Sequence, residues 1–165
     1  MPTVSIIAAI SENYVIGDSN RLVWEMPSDF EYYKNTVRNK AIIMGRKTAE
    51  SGDMFFSKEQ NILITRNKSY HREGFDVTFS LENAVKLAKG EEIFVTGGEQ
   101  IYKIALPIAD KLYITRIHTS VEGDAFFPKF NENDWILAWE EAHHADKHNP
   151  FDYTFQKYIR KATLL

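Results

Sequence analysis

With 165 residues, 44% of them hydrophobic and 26% charged, the chain has an ordinary globular composition and can bury roughly 70% of its unfolded surface. Lys+Arg 20 against Asp+Glu 23 leaves a net charge of −3, which argues against a general binder of nucleic acid or of acidic membrane. Cysteine is absent, which excludes disulfides and thiol chemistry. No composition shift divides the chain, so one domain over residues 1–165 is expected. No run is long enough to span a bilayer, and the start shows no basic n-region or signal-type cleavage site, so a cytoplasmic protein is expected.

Val4 to Ala9 is a short apolar run suited to a buried strand. Glu12 to Met26 lacks periodicity and holds Gly17, Asp18 and Asn20, so it predicts a long loop of the kind that carries function. Pro27 and the acidic turn behind it start a helix running to Val37. Asp29, Tyr33 and Val37 share one face of that helix, which puts a single carboxylate in an otherwise apolar stripe just after Trp24. A buried carboxylate is costly unless paired, and burial raises its pKa, so Asp29 is a natural partner for a polar ligand or a proton. Capping of the helix is the plain alternative.

Ala41 to Met44 is a second buried strand ending at Gly45, and Arg46 to Ser51 a short helix stopped by Gly52. Asn61 to Thr65 and Asp76 to Phe79 predict the next two strands. Ser80 can N-cap a helix through Lys89, closed by Gly90. Glu92 to Thr96 predicts a strand running into Gly97-Gly98, then a helix from Glu99 to about Pro107 and a strand from Lys111 to Ile117. Trp135 to His143 and Tyr153 to Arg160 alternate like strands and should pair as an antiparallel edge. The expected class is α/β: a mainly parallel central sheet with an antiparallel C-terminal edge and helices on both faces.

In such sheets ligands sit beyond the carboxyl ends of the strands. Gly45-Arg46-Lys47-Thr48, Thr65-Arg66 and Thr96-Gly97-Gly98 all fall there, supplying backbone N–H groups, cations, hydroxyls and room for close approach. Singly, each is ordinarily only a turn. Together they suit an extended polyphosphate ligand. Neither a Walker A loop nor a GxGxxG fingerprint is present, which argues against a P-loop NTPase or an ordinary dinucleotide domain. His143, His144 and His148 lack thiols or carboxylates at ligand spacing, so no metal is expected.

These segments, with Ile7-Ala8-Ala9, Val15-Ile16-Gly17, Leu22-Val23-Trp24, Met26-Pro27-Ser28-Asp29, Leu112-Tyr113-Ile114-Thr115, Glu122-Gly123-Asp124 and Phe127-Pro128, make the chain resemble dihydrofolate reductase over essentially its whole length. The resemblance implies a monomeric enzyme that uses NADPH to reduce dihydrofolate and that binds folate analogues. It implies that Asp29 holds the pterin's amide and exocyclic amino group, that Thr115 supports this contact, and that Trp24 helps position water. Ile7, Ala9, Phe30, Tyr33, Phe55, Phe56 and Ile101 would form walls around the substrate. Ala9, Ile16, Gly17 and Asn20 would surround the nicotinamide. Gly45, Arg46, Lys47, Thr48, Thr65 and Arg66 would hold phosphates. Gly97-Gly98, a cis peptide in the family, would lie under the pyrophosphate, with Gln100, Ile101 and Tyr102 nearby. Asp124 matches a loop residue that hydrogen-bonds to the closed form of the 11–26 loop.

Three positions depart from the family pattern. Val23 stands where proline is usual, and Ala49 where an aromatic is usual. The arginine that usually clamps the glutamate carboxylate aligns without gaps to Glu59; one deletion and one insertion put Lys58 there, and Lys58 is expected because a cation is required. Two rivals stay open: a reductase of the same fold acting on a ribosylated pyrimidine, and a nucleotide-binding module without catalysis.

Overall fold

Alternating apolar strands and amphipathic helices bury their hydrophobic faces most completely when the strands form one sheet between two helical layers. In a computed structural model, which describes residues 2–161, this is the arrangement adopted. The first half of the chain forms β1 (Thr3–Ser11), β2 (Val15–Gly17), α1 (Pro27–Val37), β3 (Ala41–Gly45), α2 (Arg46–Glu50), β4 (Gln60–Ile64) and β5 (Asp76–Thr78). The second half forms α3 (Leu81–Leu87), β6 (Glu92–Val95), α4 (Glu99–Ala105), β7 (Lys111–Ile117), β8 (Ala125–Phe126), β9 (Trp135–His143) and β10 (Tyr153–Arg160).

Eight strands line up in the order β5-β4-β3-β6-β1-β7-β10-β9. The first six are mutually parallel. β10 runs antiparallel to β7 and to β9, giving the expected C-terminal edge. Alternation along β1 sends Val4, Ile6, Ala8 and Ile10 to one core and Ile7 to the other. The first core takes Leu81, Ala84 and Val85 of α3 and Ile101, Tyr102 and Ala105 of α4. The second takes Val37 of α1 and Ala49 of α2 against Ile42, Met44, Leu63 and Phe94. Ala49 is 2% exposed, so the small residue at that position is packed.

Most boundaries fall within a residue or two of the sequence expectation; three of the differences have a tertiary reason. β1 extends to Ser11 because β7 pairs with it as far as Ile117. α3 stops at Leu87: Ala88 turns extended, and the Lys89 N–H donates to the Gln60 side chain at 2.8 Å. The 12–26 segment is not all loop, since β2 forms in it by antiparallel pairing with β8. Neither strand is long enough to show its own periodicity.

Candidate active site

Asp29 lies in the first turn of α1. That turn is held from outside the helix. The buried Asn149 accepts from the Ser28 N–H at 3.0 Å and donates to the Ser28 hydroxyl at 3.0 Å. Asp146 in turn accepts from the Asn149 backbone and side chain. The sequence offered little to mark Asn149 beyond its place before Pro150. Thr115 is 3% exposed and sits opposite Ala9 in the β1–β7 register, on the sheet beneath α1. Burial pushes the Asp29 carboxyl up to about 6, while the hydrogen bond from Thr115 pulls the other way. Asp29 is thus a desolvated carboxylate with a neutral donor and, among the described residues, no cation paired with it, which suits a ligand able to bring positive charge. Trp24 and Met26 are buried beside it, with Ile117, Tyr153 and Phe155.

Aromatic rings continue outward from Asp29. Phe30 and Tyr33 lie 6.1 Å apart, and Tyr33 meets Phe55 edge-on at 6.5 Å. The Tyr33 hydroxyl donates to the Phe55 carbonyl at 3.3 Å, and burial raises its pKa. Two cations cap this wall: the Lys34 Nζ lies 5.2 Å from the Phe30 ring and the Arg38 guanidinium 5.7 Å from Phe55. Phe56 packs in the same cluster as Tyr33 and Phe55, edge-on to Phe75 at 5.0 Å and under Arg72. Lys58 and Glu59 are both exposed; the Lys58 N–H donates to the Arg38 carbonyl at 2.9 Å.

At the strand ends three glycines converge. The Gly45 N–H donates to the Gly97 carbonyl at 2.9 Å, and Gly97-Gly98 is a cis peptide, as the resemblance implied. A Cβ on Gly98 would stand 3.0 Å from Thr48 Oγ1, and one on Gly45 would meet Ile101 at 3.2 Å. The backbone there leaves room that a side chain would fill. The Tyr102 hydroxyl donates to the Ile7 carbonyl at 2.8 Å beneath this cradle, while Gln100 points to an exposed surface of α4. Arg46 pairs with Glu50 at 2.8 Å. Tyr70 hydrogen-bonds Glu50 as well and is the main reason that its carboxyl sits below its ordinary value. Lys47 and Arg66 are exposed, and Thr65 is buried at the end of β4.

The 12–26 segment folds over this edge. Asp18 and Arg21 exchange backbone hydrogen bonds at 3.0 Å, with Ser19 and Asn20 at φ 51° and 61° between them. The Asp124 carboxylate accepts from the Ser19 N–H at 3.1 Å, and the Asp124 N–H donates to the Gly17 carbonyl at 3.1 Å. The Asn20 amide donates to the Lys47 carbonyl at 2.8 Å, and Asp53 accepts from the Leu22 N–H at 3.2 Å. Gly123 lies so close to β2 that a Cβ would stand 2.6 Å from the Gly17 carbonyl oxygen. Ile16 and Gly17 are thereby held against β8. Asp53 is a contact that sequence reasoning missed, because nothing in its local sequence pairs it with Leu22.

The cradle, the cations at the strand ends and the covering loop fit a phosphate-bearing cofactor. The half-buried, desolvated carboxylate and aromatic wall fit a flat polar heterocycle with an extended tail. Among the described residues no group of His, Cys, Asp and Glu is placed to hold a metal ion, and no helix is long and apolar enough to cross a membrane.

Comparison with known proteins agrees with this geometry. A family model described as dihydrofolate reductase matches residues 3–160. Dihydrofolate reductase from Staphylococcus haemolyticus is 42% identical over 158 residues, covering 95% of each chain. That of Bacillus subtilis is 40% identical over 159 residues, covering 96% of this chain and 95% of its own. The solved structure of Enterococcus faecalis dihydrofolate reductase, complexed with NADP(H) and RAB-propyl, superposes with a TM-score of 0.89 at 29% identity over 97% of each chain.

Proposed function

The chain belongs to the dihydrofolate reductase family, and from that premise we propose that it converts 7,8-dihydrofolate to 5,6,7,8-tetrahydrofolate for one-carbon metabolism and thymidylate synthesis, acting as a cytoplasmic monomer. The observation that carries this reading is the desolvated Asp29 carboxylate, raised to about 6, with Thr115 as its hydrogen-bond donor. NADPH, when bound, supplies the hydride that adds to C6 of the pterin.

The remaining work falls to the chain's own residues. N5 takes a proton as C6 accepts the hydride, and protonation makes C6 more electrophilic. An ionised Asp29 favours the protonated pterin in surroundings that screen charge poorly. Asp29 contacts the amide edge of the ring, so water is the direct proton donor to N5, with Trp24 helping to position it. Phe30, Tyr33 and Phe55 flank the ring and the benzoyl group, with Ile7, Ala9 and Ile101; Phe56 supports this wall from the Phe75 side. Gly45, Lys47, Thr48, Thr65 and Arg66 are the phosphate ligands, and Arg46 joins them when it leaves Glu50. Gly97, Gly98, Gln100 and Tyr102 complete the cofactor site. Closure of the loop carrying Ile16, Gly17 and Asn20 excludes bulk water.

The glutamate tail needs a cation. Lys58 is one candidate; a second, Arg38, is favoured by its place on the Phe55 ring and its planar fork. The test of the whole function is turnover: NADPH should be consumed when dihydrofolate is supplied. Absence of turnover in a folded, NADPH-binding protein would favour the non-catalytic reading. Turnover of a ribosylated aminopyrimidine instead would favour the rival reductase.

A further inference from the structure

Tyr32 stands one helical turn from Asp29, at i+3 on α1. Its ring stacks on Phe155 with centroids 4.1 Å apart and planes 16° from parallel. Its hydroxyl is buried, and no hydrogen-bond partner for it exists among the described residues. Three neighbouring tyrosines are different: Tyr33 reaches the Phe55 carbonyl, Tyr102 the Ile7 carbonyl and Tyr113 the Glu92 carboxylate. Leaving a buried hydroxyl unpaired costs about 1–3 kcal/mol, and folded proteins normally satisfy such groups with protein or ordered water.

Its surroundings identify what an ordered water there would touch. Phe155 faces Thr115 of β7 on one side and Glu141 of β9 on the other, and Thr115 faces Ala9. The row Ala9–Thr115–Phe155–Glu141 therefore crosses the sheet from the active site to its outer edge, with Tyr32 lying on Phe155 at its middle. The titratable groups around that position are Asp29 on α1, Tyr113 on β7, Tyr153 on β10, and Glu141 and His143 on β9. Glu141 is exposed and already paired with His143 at 2.6 Å. Asp29 is desolvated, and among the described residues the Thr115 hydroxyl is its one donor. A donor in this spot gains most by serving Asp29.

We propose that Tyr32 is a positioning residue for Asp29: its hydroxyl donates to one ordered water, which donates to the Asp29 carboxylate and helps keep it ionised. Two polar groups, with Thr115 as a third, meet the needs of a buried water. Burial, and then the negative charges of Asp29 and Glu141, push the Tyr32 hydroxyl up to about 12, so it stays a donor throughout the working range. The proposal rests on the role given to Asp29, but its test needs no turnover.

The experiment is a carbon-13 NMR titration of the Asp29 carboxyl in the free protein and in Tyr32→Phe, which keeps the stacked ring and removes only the oxygen. Loss of a hydrogen bond to the charged form raises a carboxyl pKa, so the Asp29 midpoint should rise by about half a unit or more. A merely structural role for Tyr32 would change melting temperature and leave the midpoint where it was; that outcome overturns the proposal. Glu141→Gln should lower the midpoint slightly, through a weakened negative field. A Glu141 effect larger than that of Tyr32 would assign the hydroxyl to the outer edge and not to the site. In a high-resolution crystal structure an ordered water should bridge Tyr32 Oη and the Asp29 carboxylate; its absence would also overturn the proposal.

Discussion

The side-chain amide of Asn20 donates to the backbone carbonyl of Lys47 at 2.8 Å, tying the covering loop to the first turn of α2. Asn20 also sits at φ 61°, a conformation that asparagine tolerates better than most residues. Asn20→Ala removes both advantages. The hydrogen bond alone is worth about 1 kcal/mol, so the KM for NADPH should rise roughly fivefold with little change in melting temperature. An unchanged KM would show that the tether does not contribute to cofactor binding.

Asp29→Asn should nearly abolish reduction at neutral pH while leaving NADPH affinity within a few-fold. The amide still hydrogen-bonds but cannot favour a protonated pterin. Removing one electrostatic group from a water-excluded site costs roughly 10²–10³-fold in kcat. The wild-type hydride step should slow as pH rises, because the acid form is consumed. Wild-type turnover by the variant at pH 7, or a flat profile of that step from about pH 6 to 9, would end this mechanism.

The same residue should cost stability in a defined pH window. The Asp29 carboxyl is raised in the folded protein from 3.8 to about 6, so the native state binds more protons than the unfolded state between those values. Its contribution is fully present below about 4 and is lost as pH rises through about 6, at a cost of roughly 3 kcal/mol when ionised. Asp29→Asn should therefore melt at a higher temperature than wild type at pH 8, and the gain should shrink towards zero by pH 4. Equal melting temperatures at both pH values would show that the carboxylate is not desolvated.

The protein should prefer NADPH to NADH. Arg66 is exposed at the end of β4, beside Thr65 and the cradle proposed to hold the cofactor phosphates, whereas Arg46 is partly engaged by Glu50. A charge-assisted contact is worth about 1.5–3 kcal/mol, so discrimination should be tenfold or more and should rest more on Arg66 than on Arg46. Arg66→Ala should lose the preference mainly through a raised KM for NADPH. Equal kcat/KM for both cofactors in the wild type would show that this end of the site is misassigned.

In the proposed function two cations are candidates for the carboxylates of the substrate tail. Lys58 is exposed, and Arg38 lies 5.7 Å from the Phe55 ring. Each single alanine variant should be assayed with dihydrofolate and with a dihydropterin lacking the tail. The clamp is the residue whose loss raises the KM for dihydrofolate, leaves kcat nearly unchanged and has no effect on the tailless substrate, because the tail is remote from the chemistry. A guanidinium fork should give the larger effect, about 1.5–3 kcal/mol against less than about 1 for a screened ammonium. Glu59→Arg should lower the KM for dihydrofolate. If neither alanine variant changes it, Lys34 at the Phe30 end of the wall becomes the next residue to test.

Much of the fold was legible along the chain because strand and helix periodicity are local properties. Pro27–Val37, Lys111–Ile117, Trp135–His143 and Tyr153–Arg160 begin and end where alternation, apolar spacing and a helix-starting proline place them. The glycines and cations at the strand ends could be assigned to one edge because a parallel sheet with crossover helices puts every strand terminus of one polarity on the same side. The carboxylate at Asp29 stood out against its apolar helix face for the same local reason.

What the tertiary structure alone decided are contacts between groups far apart in sequence, where no periodicity relates the partners. β2 and β8 are too short to signal themselves and exist by pairing with each other. Asn149 holds the first turn of α1 from 121 residues away. Phe56 packs on Phe75, and Arg38 comes to rest on Phe55. The raised pKa of Asp29 likewise depends on how much water the packed chain excludes, a property of the assembled surroundings that a linear pattern can suggest and only three-dimensional packing sets.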